Sequence, residues 1–74
     1  MNIEEANTIL KTALRDEGME HCSLRKVRWT RCSDFDVDAD PDDFDVQAEL
    51  WEDGVHVGDV SSPSHYPMAN IDWI

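Results

Sequence analysis

The sequence predicts an α+β fold in which an N-terminal helix packs on a three-stranded antiparallel sheet. Three patterns carry that expectation. Apolar residues recur at helical spacing near the N-terminus, residues 44–52 alternate apolar and polar with a period of two, and Asp53-Gly54 marks a tight hairpin turn after them. With 74 residues, the chain suits one domain (1–74) around one thin core.

The helix is expected at about residues 3–17. Asn2 suits the N-cap, and Glu5 stands three residues later as in a capping box. Glu4 and Glu5 match the positive end of the helix dipole, whereas Lys11 and Arg15 fall late, where cations are favoured. Ile3, Ala6, Ile9, Leu10, Ala13 and Leu14 form one apolar stripe, and Gly18 fits the position just past the end.

A first strand is expected at about residues 24–31, where Val27 and Trp29 sit among Arg25, Lys26, Arg28 and Arg31 in an imperfect alternation. The segment 32–43 reads as an acidic loop with an extended first half, because Pro41 and the closely spaced aspartates disfavour a central strand. Phe44, Val46, Ala48 and Leu50 then form one face of a second strand over 44–52, and Val55 to Val60 return as the third, over 55–60. A two-residue loop pairs Leu50 with Val57 but sets Ala48 against Asp59, a mismatch that a bulge near Gly58 resolves. The tail contains Pro63 and Pro67 and ends apolar, so Ile71, Trp73 or Ile74 is expected to tuck onto the sheet.

Charge narrows the function classes. Seventeen acidic residues against six basic ones leave a net charge of −11. The asymmetry is steep. Residues 1–31 hold all six cations and five carboxylates, a net +1; residues 32–74 hold twelve carboxylates and no Lys or Arg, a net −12. Such a chain repels nucleic acid and anionic membrane, and its partners are basic protein surfaces or cations. Plain solubility is the bland alternative. The apolar fraction of 41%, with Trp29, Trp51, Trp73, Phe35, Phe44 and Tyr66, argues against wholesale disorder.

Cys22 and Cys32 flank the first strand. If that strand is extended, their Cα atoms stand on the order of 30 Å apart, beyond the limit of about 7 Å for a disulfide. Two free thiols and a reducing compartment are expected. No signal peptide and no membrane-spanning run are read, so the expected location is cytoplasmic.

The aspartate run offers two chemistries. In an extended chain, Asp34, Asp36, Asp38 and Asp40 project to one side at steps of about 6.8 Å, comparable to phosphates along a nucleic-acid strand. Asp42, Asp43 and Asp45 continue the charge, with Glu49, Glu52 and Asp53 along the hairpin. A groove built to hold phosphates with Lys and Arg attracts such an array, and Trp51, Phe35 or Tyr66 supplies an apolar anchor. Alternatively, Asp36-x-Asp38-x-Asp40 opens like a calcium loop. That match fails where Gly and Glu are required, at Pro41 and Gln47. His21-Cys22 with Cys32, or His56 with His65, is a weak transition-metal reading without standard spacing, so no resident cofactor is expected. His56 is expected opposite Trp51 as a cross-strand pair. Nothing places a base beside a nucleophile, and no enzyme activity is expected. The basic strand is expected to neutralise some hairpin carboxylates, leaving the other sheet face largely acidic.

In size, charge and α+β build, and in the Asp34–Asp45 run, the chain resembles small acidic phage-encoded anti-CRISPR inhibitors of type I systems. The resemblance implies a monomeric, non-enzymatic DNA mimic in the host cell cytoplasm. It would occupy the basic DNA-binding surface of a CRISPR effector subunit without binding nucleic acid itself. The partner-facing residues would be Asp34, Asp36, Asp38, Asp40, Asp42, Asp43, Asp45, Glu49, Glu52, Asp53 and Trp51. The competing readings are an adaptor using an aromatic patch around Trp51 and Trp73, and a divalent-cation-binding module.

Overall fold

A computed structural model describes residues 1–64 and 71–74. Helix α1 spans Ile3–Asp16, and four strands follow: β1 (Ser23–Arg31), β2 (Phe44–Glu52), β3 (Val55–Pro63) and β4 (Asp72–Trp73). They form one antiparallel sheet in the order β1-β2-β3-β4, with α1 on one face. The α+β expectation holds, and a short fourth strand extends the expected three.

Local chemistry sets both ends of α1. The Glu5 amide donates to Asn2 Oδ1 at 2.9 Å, and Asn2 Nδ2 donates back to Glu5 Oε1 at 3.1 Å. At the other end Gly18 takes φ +76°, which frees the Met19 amide to reach the Leu14 carbonyl at 2.8 Å and the Gly18 amide to reach Arg15 at 3.0 Å. Ala6, Leu10, Ala13 and Leu14 of the stripe are buried. They meet Val46, Ala48 and Leu50 of β2, Val60 of β3 and Ile71, with Leu24, Val27 and Trp29 of β1 packed at the side.

Two bulges keep the apolar faces aligned. In β1 the register shifts between Arg25 and Arg28, with Lys26 at φ +54°. The extra residue lets both Leu24 and Val27 turn toward the core although they lie three apart, which explains the imperfect alternation. In the β2–β3 hairpin, Asp53 and Gly54 both take positive φ, as a primed turn requires. The register then shifts between Leu50 and Trp51. Leu50 therefore faces Gly58 instead of Val57. Val57 is the bulged residue, and Ala48 faces Val60 instead of Asp59.

Strand β3 continues past residue 60 to Pro63 because Ser61 and Ser62 pair with Gln47 and Val46. The tail returns as expected. Trp73 pairs with Val60, Ile71 is buried, and the Ile74 amide donates to the Asp59 carbonyl at 3.0 Å. The Trp73 ring lies over Gly58 so closely that an added Cβ would sit 2.7 Å from its Cζ3. Gly58→Ala should destabilise the protein by about 1–3 kcal/mol through this overlap. In a Trp73→Ala background the penalty should largely disappear, a coupling that chemical denaturation of the four proteins measures.

Candidate functional site

The acidic loop, residues 32–43, joins β1 to β2 at one end of the sheet. Its first half is not extended. Cys32–Asp34 form one 3-10 turn, and the Phe35 and Asp36 amides both donate to the Cys32 carbonyl. Two aspartate-initiated turns follow. Asp36 Oδ1 accepts from the Asp38 amide at 3.0 Å, and Asp40 Oδ1 accepts from the Asp42 amide at 2.9 Å. The Ala39 and Asp43 amides close these turns on the Asp36 and Asp40 carbonyls. The phosphate-spaced ladder expected of Asp34, Asp36, Asp38 and Asp40 is therefore absent, because local side-chain bonds to the backbone compete with the extended chain.

The turns leave the charge outside. Asp34, Asp36, Asp38, Asp40 and Asp42 are exposed, and Asp43 is partly covered. Among the described residues, no Lys, Arg or His forms a salt bridge with any of them. Phe35 and Val37 stand between these carboxylates at 80% and 94% exposure, which makes them the most exposed large apolar side chains described.

The remaining sequence-predicted residues lie elsewhere. Asp45, Glu49 and Trp51 face away from α1 on the open side of β2, alternating with buried Val46, Ala48 and Leu50. This face is mixed in charge and not largely acidic, because β1 lies beside β2. Arg25 pairs with Glu49 and Arg28 with Gln47 across the strands, while Lys26 Nζ reaches Glu49 Oε2 at 3.6 Å. Trp51 carries the Arg25 guanidinium 4.0 Å from its ring centre and stacks on His56 at 5.4 Å, the cross-strand pair expected. Its Nε1 donates to Glu49 Oε1, and His56 Nε2 bonds Asp59 Oδ1 at 3.0 Å. Glu52 and Asp53 sit at the hairpin, at the far end of β2 from the acidic loop.

The candidate acidic residues thus fall into three places, and among the described residues the one Lys or Arg salt bridge to any of them is Lys26 to Glu49 on the open face. Trp73 pairs with Val60 on the core-facing side of β3, whereas Trp51 lies on the open face, so the two do not form the single aromatic patch expected of an adaptor. Tyr66 and His65 lie outside the described residues. Convergent metal-type donors occur among the described residues at His21, Cys22 and Glu52 and at Glu49, His56 and Asp59, and none of the Asp36, Asp38 and Asp40 carboxylates joins them. Sequence reasoning missed Val37 as an apolar loop residue, although its place between Asp36 and Asp38 was visible.

No known protein-family model matches the chain, and comparisons with curated proteins and with solved structures give no match. No helix among the described residues is long and apolar enough to cross a membrane.

Cys22 and Cys32 are unbonded and partly covered. Partial burial pushes both thiols up, with Glu52 and Asp53 adding to the effect at Cys22 and Asp43 and Asp45 at Cys32. Each folded-state thiol therefore holds its proton more tightly than in the unfolded chain. Stability should fall as pH rises from the unfolded thiol range through the folded one, and the drop should shrink in Cys22→Ser/Cys32→Ser. Denaturation midpoints between neutral and alkaline pH measure this. Below that range both native thiols should alkylate more slowly than in the denatured chain.

Proposed function

We propose that the protein is a non-enzymatic acidic inhibitor that docks through its 32–43 loop onto a basic, nucleic-acid-binding surface of another protein and excludes the polynucleotide. The observation that carries this reading is the loop's composition as folded: five exposed, cation-free aspartates surrounding exposed Phe35 and Val37. The carboxylates supply long-range attraction to Lys and Arg, which raises the association rate. Phe35 and Val37 supply apolar anchors of the kind that dominate interface energy. The self-bonded turns fix the loop before binding, which reduces the ordering entropy of association.

The mimicry in this reading is of charge density and not of phosphate spacing. Asp45, Glu49 and Trp51 on the mixed face, and Glu52 and Asp53 at the far hairpin, contribute less than the loop. The narrower proposal of a CRISPR effector subunit as partner is supported by the resemblance in size, charge and build.

Capture from lysate at low salt, repeated with excess duplex DNA, tests the reading. The captured partner should be basic, should be displaced by the DNA and should be lost as salt rises. Asp36→Asn/Asp38→Asn/Asp40→Asn keeps the turns, because Asn side chains make the same backbone bonds. That variant should bind at least about tenfold more weakly, about 1.4 kcal/mol, with an unchanged denaturation midpoint, and Phe35→Ala should weaken binding independently. Full binding by the triple variant, or indifference to DNA, sinks the proposal.

A further inference from the structure

The opposite end of the sheet carries a different chemistry. After α1 ends, the chain turns through Gly18 and Met19, and the Cys22 amide donates to the Met19 carbonyl at 3.1 Å. Strand β1 then begins with Ser23 opposite Trp51. This register brings His21 and Cys22, from one strand entry, beside Glu52, at the exit of the next. His21 Nε2 lies 3.0 Å from Glu52 Oε1, and the imidazole nitrogen, the thiol sulfur and the carboxylate oxygen all lie within 4.8 Å of one another.

We propose that His21, Cys22 and Glu52 form a binding site for one borderline-soft divalent transition metal ion of the zinc or cobalt class. The donor set selects the metal. A thiolate and an imidazole favour zinc-class ions and disfavour calcium and magnesium, which take oxygen ligands. Two anionic donors, thiolate and carboxylate, with one neutral imidazole balance a doubly charged ion. Three protein ligands leave a fourth tetrahedral position open to solvent. The Cys22 proton is released to bulk water as the ion binds, so affinity rises with pH.

The second cluster, Glu49, His56 and Asp59, is a poorer site. It offers no sulfur, Glu49 is already engaged by Lys26 and by the Trp51 indole, and His56 is stacked on Trp51. By contrast, Glu52 bonds only His21 among the described residues, and both side chains are about half exposed, at 45% and 56%. They can close on an ion without disturbing the core.

Titration of the full chain with Co²⁺, under a non-chelating reductant, tests the site. One equivalent should produce a thiolate-to-cobalt charge-transfer band in the near ultraviolet with visible bands of tetrahedral intensity, and Zn²⁺ should bleach both. Cys22→Ser should abolish the charge-transfer band, and Cys32→Ser and Glu49→Gln should leave it intact. His21→Ala and Glu52→Gln should each weaken Co²⁺ binding by at least about tenfold, the lower bound known for loss of a mere supporting group. Metal should raise the melting temperature of the parent protein and not of Cys22→Ser. Absence of a charge-transfer band, its survival in Cys22→Ser, or its loss in Cys32→Ser or Glu49→Gln overturns the proposal. Circular dichroism of the metal-free variants separates loss of ligands from loss of fold.

Discussion

The alternation of β2 is the constraint on which the molecule depends. This central strand pairs along its length with both β1 and β3, and it sets which sheet face is core and which is open. Val46, Ala48 and Leu50 are fully covered by α1 and the neighbouring strands, while Asp45, Gln47, Glu49 and Trp51 point the other way. A slip of one residue would drive two carboxylates and an amide into the core. Both bulges serve that register: one lets Leu24 and Val27 share the core side of β1, and the other sets Gly58 and Val60 opposite Leu50 and Ala48.

The same pairing decides where the charge ends up. All the cations of β1 lie beside β2, so Arg25, Lys26 and Arg28 meet Glu49, Gln47 and the Trp51 ring across the strands. The open face becomes a mixed surface, and its Lys26–Glu49 pair is too exposed to contribute much stability. Nothing in β1 reaches back to neutralise the loop that follows it. Arg31, the last cation before the loop, lies 5.7 Å from the Phe44 ring centre. Six of the twelve carboxylates of residues 32–74 lie in this one short segment, and none of the six forms a salt bridge among the described residues.

What the sequence disclosed follows the range of the forces involved. Caps, the Asp53-Gly54 turn and the period of β2 are set by residues within one turn or one strand of each other, and all three could be read directly. The loop was half legible. Alternating aspartates suggest an extended ladder by spacing, yet aspartate is also the residue that most readily bonds a backbone amide two positions on, and Asp36 and Asp40 do so. The pairing of β4 with β3 and the meeting of His21 and Cys22 with Glu52 depend on register between distant segments. Pattern reading could anticipate that Ile71 or Trp73 docks; it had no access to where.

In the proposed docking, the loop's apolar residues are what distinguishes it from a merely solubilising segment. Aspartates alone account for solubility and for repulsion of other anionic molecules. They do not account for Phe35 and Val37, which stand in water on a scaffold of turns. Full burial of such side chains is worth about 1.5–3 kcal/mol each, and the free protein forgoes it. An interface that covers them recovers that free energy only when it binds this loop, so the exposed pair adds affinity and short-range selectivity to what charge alone would make an indiscriminate attraction. Because the turns are closed by the loop's own carboxylates, Phe35 and Val37 project from a fixed frame. Binding then loses less conformational entropy than it would from a flexible acidic tail of the same composition.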